Sequence, residues 1–167
     1  VVTVRGPLDD ESLQSFKDYV AARSVSTYPM DPQEGKRMGD PICDQYAITM
    51  YQNRTLFALA DGCNWGAQPR DAARKVARIF LETMKRHQRK FQDVHTAVQM
   101  MLRCFRVGHE AIVEHLSDDD RFNAGTSTLI GGALLEIDTK RAAQQWQFVA
   151  VSLGDCKAFA WNCRTGE

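Results

Sequence analysis

Several features that would assign this sequence to a membrane, secreted or nucleic-acid-binding class are missing. No apolar run approaches the roughly 20 residues that span a bilayer, so we expect no membrane association. The N-terminal Val-Val-Thr-Val-Arg-Gly-Pro lacks the apolar stretch of a signal peptide. Basic and acidic residues number 21 each, and this balance argues against a nucleic-acid partner.

Motifs for several common chemistries are also missing. Five irregularly spaced cysteines include no Cys-x-x-Cys pair, which argues against structural zinc and favours reduced thiols in the cytoplasm, with the nucleus as an alternative. Neither glycine-rich nucleotide motif occurs. Cys63 precedes Arg70 by one residue too many for the loop of a cysteine-based phosphatase. His109-Glu110 begins like a zincin motif, but Val113 stands where the second His should be.

The composition is that of a soluble globular domain, with 44% hydrophobic and 25% charged residues. Hydrophobic periodicity predicts three helices, at 9–23, 69–88 and 92–116. It predicts strands at 45–51, 55–60, 126–137, 147–153 and 157–161, with the start of another hairpin turn at 162–166. Clustered strands and clustered helices favour an α+β fold with antiparallel sheets. We expect the two long helices to lie antiparallel on one sheet.

The stretch most suggestive of chemistry is the end of the second predicted strand, Leu59-Ala60-Asp61-Gly62. A strand end holds a carboxylate in a fixed position, and a carboxylate with a free backbone carbonyl can bind Mg²⁺ or Mn²⁺. Asp-Gly is also a common turn dipeptide, so this pair alone favours a structural role. Two further glycine-punctuated strands follow the helices, and each by itself would also be structural. They read Ala124-Gly125-Thr126-Ser127-Thr128 and Leu153-Gly154-Asp155-Cys156-Lys157-Ala158.

Taken in order, these three stretches resemble the metal-dependent Ser/Thr protein phosphatases of the PPM, or type 2C, family. That family has a strand ending Asp-Gly-His-Gly-Gly, two long helices, a Gly-Ser/Thr-Thr-Ala strand and a strand ending Val-Gly-Asp-Ser-Arg-Ala. The resemblance covers about residues 35–167 and implies the N-terminal part of a phosphatase domain, preceded by a helix and loop at 1–34. It implies an antiparallel β-sandwich flanked by helices.

The resemblance also implies a site with two Mg²⁺ or Mn²⁺ ions that hydrolyses phosphoserine or phosphothreonine in a phosphoprotein substrate. Asp61 would be shared by both metals, and Gly62 would offer its carbonyl. Asp44, seventeen residues before Asp61, takes the place of the Asp in the family's Glu-Asp pair. Asp155 would face a third, weaker metal position, and Arg37 would be the candidate for binding the phosphate.

The sequence departs from the family at two positions of this site. Cys43 replaces the Glu of the Glu-Asp pair, and Cys63 replaces the His that is a proposed general acid. The sequence also stops before the two later metal-binding aspartates, so we expect a segment of a longer chain that is inactive by itself. Two hypotheses follow: a phosphatase domain within a longer protein, or an inactive phosphatase-like module that binds a regulatory protein partner.

Overall fold

A computed structural model describes residues 1–7, 14–16, 20–91, 93–137 and 145–166. The helices are α1 (Ala67–His87) and α2 (Val94–Val113), with short 3₁₀ turns at Gln88–Lys90 and Asp120–Asn123. The first six strands are β1 (Val2–Gly6), β2 (Gln14–Phe16), β3 (Val20–Ala22), β4 (Gln45–Met50), β5 (Arg54–Ala60) and β6 (Gly62–Cys63). Strands β7 (Thr126–Ser127), β8 (Leu129–Ile137) and β9 (Gln145–Leu153) follow α2.

The main sheet has five strands in the order β1-β4-β5-β8-β9, and every neighbouring pair is antiparallel. The β4–β5 hairpin runs from Gln45 opposite Ala60 to Met50 opposite Thr55. Its turn is closed by the Tyr51 amide, which donates to the Arg54 carbonyl at 2.8 Å. The predicted hairpin and the α+β class with antiparallel strands are therefore confirmed.

Helix α1 packs against one face of this sheet. The buried alternate residues of β5 are Leu56, Ala58 and Ala60. Each is at most 1% exposed and belongs to the same hydrophobic core cluster as residues of α1. Phe80 of α1 is fully buried. A side chain on Gly131 of β8 would come within 2.3 Å of the Phe80 ring, so the absence of a side chain at this position lets the ring approach the sheet. This packing fixes the helix over the centre of the sheet.

Helix α2 lies antiparallel to α1. The Phe80 and Phe105 rings meet edge-on at 5.5 Å, and Val76, one turn earlier in α1, approaches Gly108, later in α2. Asp93 caps the start of α2 by accepting from the Thr96 amide at 2.7 Å, in a reciprocal capping box. The expected antiparallel helix pair on one sheet is confirmed.

The opposite face of the sheet carries large apolar side chains that remain partly in water. Phe57 of β5 and Phe148 of β9 stack at 5.5 Å with nearly parallel rings. Leu59, Trp146 and Phe148 are 42%, 48% and 54% exposed. Within the described ranges, the other strand pairs are the two-stranded sheets β2–β3 and β6–β7. One five-stranded layer of the expected sandwich is therefore present in these ranges, and a second large layer is not.

The predicted helix at 9–23 is wrong where the structure describes it. Residues Gln14–Phe16 pair with Val20–Ala22 as antiparallel strands, and Arg23 has no regular structure. The remaining parts of the predicted helix, 9–13 and 17–19, lie outside the described residues. The Ala22 carbonyl accepts from the Tyr46 hydroxyl at 3.3 Å, so a tertiary contact joins this hairpin to the main sheet. A short amphipathic segment has little helical stability of its own, and such contacts override it.

Strand β1 was not predicted, although Val2 and Val4 alternate with polar residues. It forms an edge of the sheet through pairing with β4, and Thr3 and Thr49 share a hydroxyl hydrogen bond of 2.9 Å. The strand predicted at 157–161 is wrong, because these residues pair with no strand and leave Trp161 70% exposed. A turn is present at 162–166, where the Gly166 amide donates to the Asn162 carbonyl at 2.8 Å, but the residues before it do not form the strand of a hairpin.

All five cysteines are free thiols, as predicted. Within the described part of the chain, neither long helix has the length and apolar character needed to cross a bilayer.

Candidate functional site

Two carboxyl groups meet at one end of the β4–β5 hairpin. Asp44 immediately precedes β4, and Asp61 immediately follows β5, the middle strand of the main sheet. Because Gln45 pairs with Ala60, the register places the two aspartates at the same end of adjacent strands. Their side chains lie within hydrogen-bonding range of each other, and both residues are open to solvent.

This arrangement raises the pKa of Asp44 from 3.8 to about 6. The largest cause is loss of water around the carboxyl group, followed by the charge of Asp61 and the hydrogen bond to it. Although Asp44 has substantial exposed surface as a whole residue, its carboxyl group lies against that of Asp61. Two adjacent carboxylates that repel each other form a site whose charge a divalent cation would neutralise.

The backbone of Asp61 is held by the strand-like stretch 126–128. The Thr128 amide donates to the Asp61 carbonyl at 2.8 Å, and the Ser127 hydroxyl lies 3.0 Å from the same oxygen and 2.8 Å from the Thr128 carbonyl oxygen. Gly62 pairs with Ser127 in the two-stranded β6–β7 sheet. The second glycine-punctuated motif therefore has a definite role here, which is to fix the Asp-Gly turn against the start of β8.

Gly62 has no room for a side chain. A Cβ atom there would lie 2.6 Å from the Pro69 carbonyl oxygen and 2.9 Å from the Cys43 Cβ. Both distances are below any normal contact, so the close approach of α1 and Cys43 requires glycine at this position. The local structure accounts for the glycine, and the metal role of its carbonyl stays a prediction.

The Cys43 thiol faces backbone carbonyls. Its Sγ lies 3.4 Å from the Pro41 carbonyl oxygen and 3.6 Å from that of Gly66, so its one hydrogen can be donated to either oxygen. Burial is the largest cause that raises the pKa of this thiol above its ordinary value of 9.0, and a hydrogen bond from the Gly66 backbone to the sulfur opposes it. A neutral thiol is a poor ligand for Mg²⁺, so Cys43 does not supply what a Glu would supply.

Asp155 lies in the exposed loop that follows β9. Thr128 links this loop to the Asp61 region, because its hydroxyl lies 3.0 Å from the Cys156 Sγ while its amide bonds to Asp61. Among the described residues, no three His, Cys, Asp or Glu side chains come together as a metal-ligand cluster. Asp155 as a third-metal ligand stays a prediction.

Arg37 lies in the loop before β4 and pairs across an isolated bridge with Met30. Its guanidinium donates to the Tyr28 carbonyl at 3.1 Å. This contact shapes the loop, and its role in phosphate binding stays a prediction.

An aromatic contact that the sequence did not predict joins the loop after Asp61 to the loop before β4. The Trp65 indole donates to the Tyr28 hydroxyl at 3.2 Å, and the two rings meet edge-on at 5.3 Å. The available signal was an aromatic residue placed between Asn64 and Gly66, two turn-forming residues, only four positions after Asp61.

An open cavity of about 780 Å³ lies along α1, and neither Asp44 nor Asp61 lines it. Its cationic lining residues are Arg5, Arg74, Lys75 and Arg78. Arg5 is paired with Glu82, and Arg74 with Asp71. The cavity is therefore separate from the carboxyl pair.

Comparison with known proteins gives a single line of support for the phosphatase-like interpretation. No protein-family model matches the chain, and no solved structure matches it. The chain is 25% identical over 158 residues to the PP2C-like domain-containing protein CG9801 of Drosophila melanogaster. The match covers 89% of this chain but spans only 21% of that protein's length. The chain is therefore distantly similar, over most of its own length, to a protein that carries a PP2C-like domain.

Proposed function

We propose that this chain is part of a PP2C-like phosphatase domain which, within a longer protein, hydrolyses phosphoserine or phosphothreonine in protein substrates. The observation that supports this best is the Asp44–Asp61 pair, held at the end of the middle strand. Two carboxyl groups that face each other on solvent-exposed residues suit a divalent cation.

The donor groups present fit Mg²⁺ or Mn²⁺ in part. Asp44 and Asp61 would supply carboxylate oxygens, and Gly62 would add its carbonyl. When bound, such ions lower the pKa of a coordinated water and neutralise charge on the phosphoryl group. This chain's own contribution is to hold Asp61 rigidly through Ser127 and Thr128. Further carboxylates would come from other parts of the longer protein, because Mg²⁺ prefers near-octahedral oxygen coordination.

A second candidate function is a phosphatase-like module that binds a regulatory protein partner without catalysis. The observation in its favour is the pair of substitutions at Cys43 and Cys63. The first removes a carboxylate ligand, and the second removes a proton donor of a kind worth about 10²- to 10⁴-fold in rate.

The deciding experiment measures hydrolysis of a phosphothreonine peptide, with Mn²⁺ and with EDTA. The 167-residue chain and the full-length protein are compared, each with Asp61→Asn and with the exposed control Asp119→Asn. We expect no detectable activity in the 167-residue chain. In the full-length protein we expect Mn²⁺-dependent activity that Asp61→Asn abolishes and Asp119→Asn preserves, with unchanged circular dichroism.

Activity of the 167-residue chain alone would contradict the idea that further carboxylates are needed. Metal-independent activity that survives Asp61→Asn in the full-length protein would contradict the metal mechanism altogether. A full-length protein that binds a partner but never hydrolyses the peptide would favour the regulatory module.

A further inference from the structure

Four large apolar side chains lie exposed in two neighbouring loops beside the carboxyl pair. We call Tyr28, Met30, Met38 and Trp65 the aromatic patch; they are 43%, 51%, 46% and 59% exposed. A single exposed apolar residue is ordinary on a protein surface, whereas exposed apolar side chains that lie together are a common feature of binding surfaces.

The two loops are tied together, so the aromatic patch is formed before any ligand arrives. Besides the contact between the Trp65 and Tyr28 side chains, the Met38 amide donates to the Pro29 carbonyl at 3.0 Å. Met30 and Arg37 pair across the same loop, which brings both ends of the 28–38 segment together. A preorganised surface loses little conformational entropy when it binds.

The backbone around Trp65 turns its ring outward. Asn64 and Gly66 on either side both have positive φ angles, 70° and 108°. Most residues avoid this region, and Trp65 between them is left largely in water rather than packed into the core. The hydrogen bond from its indole nitrogen then fixes the ring in that exposed position.

The aromatic patch is continuous with the candidate site. The Cys43 thiol, next to Asp44, donates to the carbonyl of Gly66, which is adjacent to Trp65. Along the chain, Trp65 follows Asp61 by four residues, so the two lie within about 14 Å of each other. An extended peptide covers that distance in about four residues.

From this geometry we infer that the aromatic patch binds a bulky apolar side chain of the phosphoprotein substrate, within about four residues of the phosphorylated residue. The inference rests on the proposed function, since it takes the Asp44–Asp61 pair as the place where the phosphate binds. Tyr and Trp provide a rigid apolar surface, and methionine side chains adapt to aromatic or aliphatic groups. The aromatic patch therefore gives the site a preference for sequences flanking the phosphate.

The test uses the full-length protein and a set of dye-labelled phosphothreonine peptides with an Ala/Ser background. One Phe is placed at each position from four before to four after the phosphothreonine. Binding is measured by fluorescence polarisation in Mn²⁺, with a non-hydrolysable phosphonate in place of the phosphothreonine phosphate, so that the cation is present and no turnover occurs. We expect Phe at one or more positions to lower Kd about tenfold relative to the peptide without Phe.

Trp65→Ala should remove this Phe preference. Trp161→Ala, which deletes an equally large ring that is 70% exposed in the C-terminal segment, should leave it unchanged. Tyr28→Phe removes only the hydroxyl that accepts from Trp65, so it should reduce the preference partially. Unaltered thermal unfolding of each variant shows that the fold is retained.

A Phe preference that persists in Trp65→Ala, or that Trp161→Ala removes equally, would overturn the inference. So would a change in oligomeric state of Trp65→Ala by sedimentation, because the aromatic patch would then bind a second copy of the chain. Failure of the proposed function gives a separate result, in which Mn²⁺-dependent hydrolysis is absent while the Phe preference remains.

Discussion

Replacing Asp44 by Asn removes one of two facing carboxyl groups while keeping the size of the side chain. The pKa of Asp44 is raised from 3.8 to about 6, so the folded chain binds more protons than the unfolded chain across that range. Its contribution to stability is therefore present below about pH 4 and is lost as the pH rises through about 6. In EDTA at pH 8, both carboxyl groups of the wild-type pair are charged, and their contribution to the stability of the fold is at its least favourable.

A shift of about two units would correspond to about 3 kcal/mol if it were wholly transmitted to folding. Asp44 is exposed, however, and water and salt screen its interaction with Asp61, so we expect about 1 kcal/mol. Asp44→Asn should therefore raise Tm by about 3 °C at pH 8, and by less at pH 4.5, where Asp44 of the folded chain is mostly neutral.

The assay is calorimetric unfolding of the 167-residue chain in EDTA from pH 4.5 to 8, with Asp119→Asn as the control outside the pair. Subtracting variant from wild type cancels the titration of all other groups. A variant that is less stable than wild type at pH 8, or a difference that does not change with pH, would show that the two carboxylates do not repel each other as described.

Two further predictions concern the core. Phe80→Ala removes a fully buried ring that meets Phe105 and Gly131, and should lower the free energy of unfolding by about 3–5 kcal/mol in urea titrations. Leu102→Ala, at a position 50% exposed on α2, is its control and should change it by less than about 0.5 kcal/mol. Burial raises the pKa of Cys104 to about 12, so iodoacetamide at pH 8 should spare Cys104 and modify the exposed Cys163, as read by mass spectrometry. Rapid labelling of Cys104 in the folded chain would contradict the packing of α2.

The parts of the fold that the sequence predicted well are those with a strong local pattern. The α1 and α2 stripes, and the β4–β5 hairpin with its tight turn, follow from periodicity alone. The helix predicted at 9–23 is wrong because the apolar spacing of this segment suits a helix, whereas strand pairing and the Ala22–Tyr46 contact determine the structure of its described part. No local sequence pattern reveals these interactions.

The candidate site likewise has one part that the sequence predicts and another that it does not. Asp44 and Asp61 could be placed together because they flank two strands that pair as a hairpin. The aromatic patch could not be predicted, because Tyr28 and Trp65 are 37 residues apart and their contact depends on the path of an irregular loop. The strand predicted at 157–161 is wrong for a related reason. Such a run forms a strand only where a partner strand is available.

The uncovered face of the five-stranded sheet has a calorimetric consequence. Apolar surface that is already hydrated in the folded state adds nothing to the heat capacity change when the chain unfolds. Leu59, Trp146 and Phe148 contribute such surface, since each keeps 42–54% of its area in water. The 167-residue chain should therefore show a heat capacity increment below the usual 12–15 cal/mol/K per residue, and a correspondingly flatter stability curve.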